Sequence, residues 1–523
     1  MAETIPDSEN THLQHGRVLS VTRSVLAMLG LCFVVMLVAI DQTVVGTAMP
    51  TIVAELNGFD LYAWVASAYF LTSIITVPIF GRLGDFYGRR PFVVVSIVLF
   101  TLSSVACGLS QSMVQLVGAR ALQGVAGGML VGTAFACIPD LFPSTQVRLR
   151  WQIMMSSAFG IANAEGPSLG GVLTEQYGWR SIFYINIPIG LLSLYFVWRY
   201  LPLIRHHRSE RISLDWQGAL LLVLGLVCIQ LLLELLPMHG ATVWMLLLGL
   251  SGVCAFLVLI WWEKRCPEPL LPPAMFRNPA QVALFVMAAG LGFVMFSILF
   301  YAPLALQGGL SLSPQEAGLL ITPMVVFITV GSIINSRIVT RLSRPSRMLL
   351  IGMLLLLLCC MGLILLRKET PHWLFVCYAM LGGVGIGFIM PNLTVFSQEI
   401  SARSMLGIAT ATLQSARMVG GMLGATAVGA LITHQYNEQL SHLAAHLEAP
   451  ASTMLTDPQL LMSVERQTAF LEQVQTTGAI LLLSAREAML SAVNFGMGLV
   501  LVVIVCGFLV LRKVASVQFL NRQ

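Results

Sequence analysis

Long apolar runs, each closed by a short polar or charged segment, recur from one end of the chain to the other. A window of about 20 residues, the length a helix needs to cross a bilayer, marks fourteen of them. They lie near 24–48, 62–81, 91–110, 114–138, 150–173, 180–200, 216–236, 242–262, 281–305, 316–336, 347–366, 373–395, 405–432 and 487–511. The predicted fold class is an all-α integral membrane protein with 14 transmembrane helices.

The runs repeat as a set. Ser336–Arg344 echoes Gly81–Arg90 at an offset of about 255 positions, with Arg82 and Arg89 recurring as Arg337 and Arg344 and Asp85 replaced by Thr340. Gly166-Pro167-Ser168-Leu169-Gly170 is echoed by Gly420-Gly421-Met422-Leu423-Gly424 at nearly the same offset. The pattern predicts two six-helix bundles, spans 1–6 and 9–14, with spans 7–8 inserted between them. The implied organisation is an N-terminal tail (1–23), a first bundle (24–200), a linker with the inserted pair (201–278), a second bundle (279–511) and a C-terminal tail (512–523). The second bundle includes a long polar loop at 434–485.

Composition narrows the class further. Hydrophobic residues make up 57% of the chain and charged residues 10%, far from the balance of soluble domains. The net charge of +5 comes from arginines dispersed among short loops, which excludes a nucleic-acid partner. Placing both termini in the cytoplasm puts 22 of the 29 basic residues on that side, as the positive-inside rule requires. Arg180, Arg367, Lys368, Arg466 and Arg486 fall outside, and Arg120 and Arg417 lie within spans. The polar first 23 residues lack an apolar core and a small-residue cleavage site, so the first span reads as an uncleaved signal-anchor. The ten cysteines have no metal-ligand spacing and read as packing residues, and no catalytic or metal site is predicted.

The densest cluster of charge and glycine is Gly81-Arg82-Leu83-Gly84-Asp85-Phe86-Tyr87-Gly88-Arg89-Arg90. Its glycines permit a tight turn, and one carboxylate stands among three arginines able to pair with it. Gly-x-Leu-x-Asp-x-x-Gly-Arg-Arg resembles the loop signature between the second and third spans of the major facilitator superfamily. Three other segments resemble the superfamily's fourteen-span drug:proton antiporter branch, typified by EmrB and QacA. They are Asp41-Gln42-Thr43-Val44-Val45, Arg120-x-x-Gln123-Gly124 and Gly166-Pro167-x-x-Gly170-Gly171. The last is similar to a motif associated with antiporters rather than importers. One departure stands out: the branch often has asparagine where this chain has Gly46. The resemblance implies gating roles for Gly81, Asp85, Gly88, Arg89 and Arg90, with Asp85 helping to close the cytoplasmic face.

Proton chemistry needs titratable groups inside the bilayer, where low dielectric disfavours the charged form. Asp41, Glu165 and Glu234 are the carboxylates inside predicted spans rather than at their first residue, and Arg120 and Arg417 the arginines away from their ends. Asp41, Glu165 and Arg120 form the expected proton-coupling set. Glu234, near the end of span 7, reads as solvated or at the lipid interface. Arg417, with Gly420 and Gly421, is expected to pair inside the second bundle. Met154, Met155, Tyr69, Phe70, Phe293 and Phe296 are candidates for an adaptable cavity wall.

The expected function is proton-coupled antiport, exporting amphiphilic, drug-like molecules across the cytoplasmic (inner) membrane by alternating access. Its partners would be the small-molecule substrate, protons and lipid. A periplasmic adaptor and outer-membrane channel could join them at loop 434–485 in a cell with two membranes; otherwise the loop could act as a lid. The proton gradient replaces any cofactor, because no nucleotide-binding Gly-x-x-x-x-Gly-Lys-Ser/Thr occurs. A dedicated exporter of one metabolite or siderophore and an uncoupled facilitator share most of these features. An enzyme does not, for the chain has no His-Glu-x-x-His and no Gly-x-Ser-x-Gly in an access loop.

Overall fold

The computed structural model describes residues 11–12, 18–19, 21–134, 137–141, 145–203, 215–239, 242–267, 269–339, 342, 345–401, 406–445, 447, 451–474 and 477–514. Fourteen long helices account for most of it. They are α1 (Val21–Leu56), α2 (Tyr62–Tyr87), α3 (Arg89–Gly108), α4 (Met113–Ala134), α5 (Thr145–Tyr177), α6 (Asn186–Tyr200) and α7 (Trp216–His239). The rest are α8 (Val243–Glu263), α9 (Pro279–Leu304), α10 (Pro314–Ile338), α11 (Ser346–Ile364), α12 (His372–Ile400), α13 (Leu406–Ala444) and α14 (Gly478–Val514). A two-residue antiparallel pairing of Thr11–His12 with Val18–Leu19 is the one extended feature among the described residues. Thirteen helices are long and apolar enough to cross a membrane. The helix outside that set is α5, whose middle carries Asn163, Glu165 and several glycines.

The helices pair in a pattern that occurs twice. In the first half α4 packs on α2 and α3, while α1 packs on α5 and α6, and α3 on α6. In the second half α12 packs on α10 and α11, α9 on α13 and α14, and α11 on α14. The glycines show the same register. A Cβ at Gly166 would meet Thr43, and one at Gly170 would meet Thr47 and Val44. One at Gly420 would meet Ala289, and one at Gly424 would meet Phe293. Both halves therefore seat two glycines, one helical turn apart, on residues one turn apart in the partner helix. Small residues let the backbones approach closely, which is how helices associate where lipid removes the hydrophobic drive.

The halves meet through α5 on α10, through α2 on α13 and through α1 on α9. Six hydrogen bonds join them among the described residues. Tyr62 Oη donates to the Phe300 carbonyl at 2.8 Å, Gln307 Nε2 to the Thr47 carbonyl at 2.8 Å, and Gln315 N to Glu175 at 3.0 Å. Ser67 and Thr426 share a hydroxyl bond at 3.0 Å, Ser168 bonds Thr322, and Arg466 bonds Asn57. Apart from Thr426 at mid-helix, the partners lie toward the end of the bundle marked by Leu56, Tyr62 and Pro314. The seam between the halves is fastened at that end.

The inserted helices α7 and α8 pair with each other, and α7 rests on α13 and α2. Trp244, Leu246, Leu250 and Leu257 of α8 are exposed, the apolar surface a lipid-facing helix presents.

Two expectations need correction. The decapeptide is not a loop: Gly81–Tyr87 are the last turns of α2, and only Gly88 leaves the helix, at φ 89° and ψ 140°. A positive φ is cheap for glycine alone, so one residue makes the whole turn. Nor is 434–485 a polar loop. Helix α13 runs on to Ala444, and the connection folds as short helices over Ala451–Thr456, Pro458–Leu461 and Val464–Val474 before α14 begins at Gly478. Tyr436, Leu440, Leu455, Leu460 and Phe470 are buried there, because apolar residues at helical spacing on a polar chain extend the core of the bundle. Of the basic residues expected outside, Arg180 pairs with Glu55, and Arg466 bonds Asp457 at 2.7 Å. None of the described cysteines forms a disulfide.

Candidate functional site

Asp41 lies on α1 with 1% of its side chain exposed, and Arg120 lies on α4 with 2%. The carboxylate would be costly at this depth without compensation. Arg120 Nη1 donates to Asp41 Oδ2 at 2.6 Å, and Gln123 Nε2 donates to Asp41 Oδ1 at 2.8 Å. Asn186 of α6 adds a longer bond from Nδ2 to Oδ1 at 3.2 Å, and the same amide donates to Ser104 of α3 at 2.9 Å. Asp41 thus ties α1 to α4 and α6, and through Asn186 to α3.

Arg120 is held independently of Asp41. Its Nη1 also donates to Gln123 Oε1 at 2.7 Å, its Nε to the Val65 carbonyl at 3.2 Å, and its guanidinium sits 4.6 Å from the centroid of the Tyr69 ring. The arginine is therefore positioned on α2 and α4 whatever the charge on Asp41. Arg120 and Gln123 come together because three residues is close to one helical turn, so both point from one face of α4. The next residue, Gly124, lets that face reach α2, since a Cβ there would overlap the Tyr69 carbonyl.

The second half has no equivalent. Asp41 lies two residues before Thr43, and Met287 lies two before Ala289, its counterpart against the paired glycines. Gly383 of α12 meets the Met324 backbone as Gly124 meets that of Tyr69. That match sets Ala379 opposite Arg120, Gly382 opposite Gln123 and Met324 opposite Tyr69. Asp41, Arg120, Gln123 and Tyr69 are thus each replaced by an apolar or small residue.

The other predicted residues fall elsewhere. Glu165 is exposed on α5 and joined to neither Asp41 nor Arg120. It points away from the face that Gly166 and Gly170 turn to α1 and Pro167 and Gly171 turn to α10. Arg417 has no carboxylate in ion-pair range among the described residues, contrary to the expected pairing; its Nη1 meets Met390 Sδ at 3.2 Å. Its neighbours Gly420 and Gly421 pack against Ala289 and the Phe296 ring. Glu234 is half-buried rather than solvated, with Trp64 of α2 against its carboxyl group and its Oε2 buried without a partner. The Asp85 side chain lies outside the described residues. Arg90 reaches α6, donating to the Trp198 carbonyl at 2.6 Å. Gly84 packs beside Arg89, while Gly81 faces the Gly132 carbonyl and Gly88 makes the turn. Of the proposed cavity wall, Tyr69 packs on Arg120, and Phe70 meets Phe296 at 4.5 Å across the seam.

Sequence reasoning did not assign Gln123, Asn186, Ser104 and Tyr69 to this network. Gln123 stands inside the Arg120-x-x-Gln123-Gly124 motif, but only the packing of α4 and α6 on α1 shows what it and Asn186 bind. Gly46 also finds its reason here: a Cβ would stand 2.7 Å from the Leu299 carbonyl, so the side chain is absent to admit α9.

The Major Facilitator Superfamily profile matches residues 31–425. The chain belongs to the major facilitator superfamily. A member of this transporter family is not an enzyme. The chain is 34% identical to Multidrug resistance protein 3 of Bacillus subtilis (strain 168) over 445 residues, covering 83% of this chain and 85% of that protein. It is 32% identical to the Multidrug transporter protein MdtP of the same organism, covering 79% and 76%. It is 30% identical to the Tetracenomycin C resistance and export protein of Streptomyces glaucescens, covering 77% and 75%. A bacterial homolog of the human lysosomal transporter Spinster shares the fold, with a TM-score of 0.69 at 14% identity over 97% of this chain and all of that one. This superfamily member is a multi-pass membrane protein whose polar network sits in one half.

Proposed function

We propose that this protein is a proton-coupled antiporter that exports amphiphilic, drug-like molecules across the cytoplasmic membrane. The observation that carries the reading is the buried Asp41–Arg120 pair at 2.6 Å, together with relatives named for multidrug resistance. In this reading α5 is the fourteenth span, both termini are cytoplasmic, and the fastened end of the seam is the outer face.

Coupling follows from what Asp41 holds. Ionised, it binds Arg120, Gln123 and Asn186 and fixes α1 against α4 and α6. Protonated, it loses the charge-assisted bond to Arg120. Arg120 keeps Gln123, Val65 and Tyr69, so neutralising Asp41 loosens α1 without collapsing the bundle. About one and a half turns along α1, Gly46 and Thr47 abut Leu299 and Gln307 of the second half. A shift of α1 is therefore passed straight to the seam, where rocking of one half against the other gives alternating access. One inward proton at 100 mV supplies about 2.3 kcal/mol. Glu165, free of such contacts, is a second protonatable group.

A dedicated exporter is the second reading, favoured by the relative named for tetracenomycin C export. Purified protein in proteoliposomes decides the main question. An imposed proton gradient should drive substrate uptake against its concentration gradient, and substrate addition should release protons from the detergent-solubilised protein. Transport that persists with the gradient collapsed and needs ATP would overturn the proposal.

A further inference from the structure

Arg417 poses the opposite problem to Arg120. Its backbone lies so close to α9 that a Cβ at Gly292 would overlap its carbonyl oxygen, and its side chain reaches across to Met390 on α12. A thioether is a weak acceptor. The guanidinium Nε is buried with no partner. No charged group faces it among the described residues. The sequence explains why: α9 holds no charged residue, and α12 holds only Glu399, near its far end. The positions matching Asp41 and Gln123 are Met287 and Gly382, so nothing in this half repeats the acceptors that hold Arg120.

A guanidinium cannot lose its proton in a protein, so burial cannot neutralise it as it can a carboxyl or amine. Keeping one within a span is costly, and such residues mark pathways. No described residue supplies the compensating charge, and a bound anion would. The side chain is partly accessible, which leaves its planar fork open to a two-pronged acceptor.

We propose that Arg417 is an anion-binding point of the transport pathway, so that the exported compounds carry a carboxylate, sulfonate or comparable acidic group on an apolar body. This rests on the export reading above. Phe293 and Phe296 lie on α9, the helix that Arg417 packs against, where an apolar body would sit. Exporting a monoanion against one proton moves two charges inward per cycle, so membrane potential would drive it more strongly than it drives a neutral substrate.

The test is equilibrium binding to the full chain in lipid nanodiscs, using 2-naphthalenesulfonate and 2-naphthyltrimethylammonium, which share a ring system and differ in the sign of charge. Wild type should bind the sulfonate more tightly. Arg417→Gln should weaken the sulfonate by about tenfold or more, leaving the ammonium probe unchanged or tighter, while Arg417→Lys should recover most of the loss. Equal affinity for both probes in wild type would overturn the proposal without touching the export reading, as would an equal loss of both in Arg417→Gln. Should Arg417→Gln not fold, the wild-type comparison and Arg417→Lys still decide it. Gradient-driven uptake of a neutral substrate tests export separately.

Discussion

Arg120 and Asp41 meet at 2.6 Å in the interior of the first half, although 79 positions separate them in the chain. The carboxylate is not tolerable alone at that depth. Removing the arginine of such a buried pair leaves that charge uncompensated and costs about 3–5 kcal/mol. Arg120→Ala should therefore lower the thermal unfolding temperature sharply, and Asp41→Asn in the same chain should restore much of it. Unfolding of the detergent-solubilised variants measures both. If the double variant is no more stable than Arg120→Ala, charge compensation is not what Asp41 supplies.

Asp41→Asn alone should be much milder for folding, since the amide still accepts from Gln123 and Arg120 retains three other contacts. An amide cannot titrate in the relevant range, so the variant should lose gradient-driven export and substrate-induced proton release. It should keep substrate exchange, which needs only the cavity and the rocking motion. Gradient-driven pumping at wild-type rates would remove Asp41 from the coupling step.

Glu165→Gln should change stability by less than about 0.5 kcal/mol, the range for surface positions away from special features, because no contact depends on the carboxylate. That makes it a clean probe of coupling. A loss of proton release with unchanged unfolding temperature would assign Glu165 a direct part, and unchanged transport would leave proton carriage to Asp41.

Gly46→Ala places a methyl group 2.7 Å from the Leu299 carbonyl, which backbone on both sides cannot easily yield. It should push α1 from α9 and weaken the fastened end of the seam. Spin labels on Tyr177 of α5 and Leu319 of α10, exposed residues outside the bonded pairs, would report a longer mean separation. Gly118→Ala is the control: nothing lies within 4 Å of its added Cβ, and the change should stabilise α4 by about 0.5–1 kcal/mol. Similar distances in wild type and Gly46→Ala would show that the seam does not depend on this approach.

Much of this protein was legible along the chain. Apolar runs long enough to span a bilayer must become helices, because no other open structure satisfies its backbone there; hence Ser346–Ile364 and Val243–Glu263 were found close to their observed limits. The glycine echo at Gly166 and Gly420 was readable because close packing of two helices demands the same small residue at the same spacing in each half. Polarity alone misled at 434–485, where spaced apolar residues such as Tyr436 and Phe470 join the core of the bundle. Side-chain company was the part only tertiary structure decided. Asp41, Gln123 and Asn186 are distant in sequence, and although Asp41 stands out as a carboxylate within a span, nothing local names its partners. Their meeting depends on how α1, α4 and α6 rotate against one another, which no local pattern encodes. The same rotation leaves Arg417 beside Met390, in a half that has apolar residues where a partner would stand.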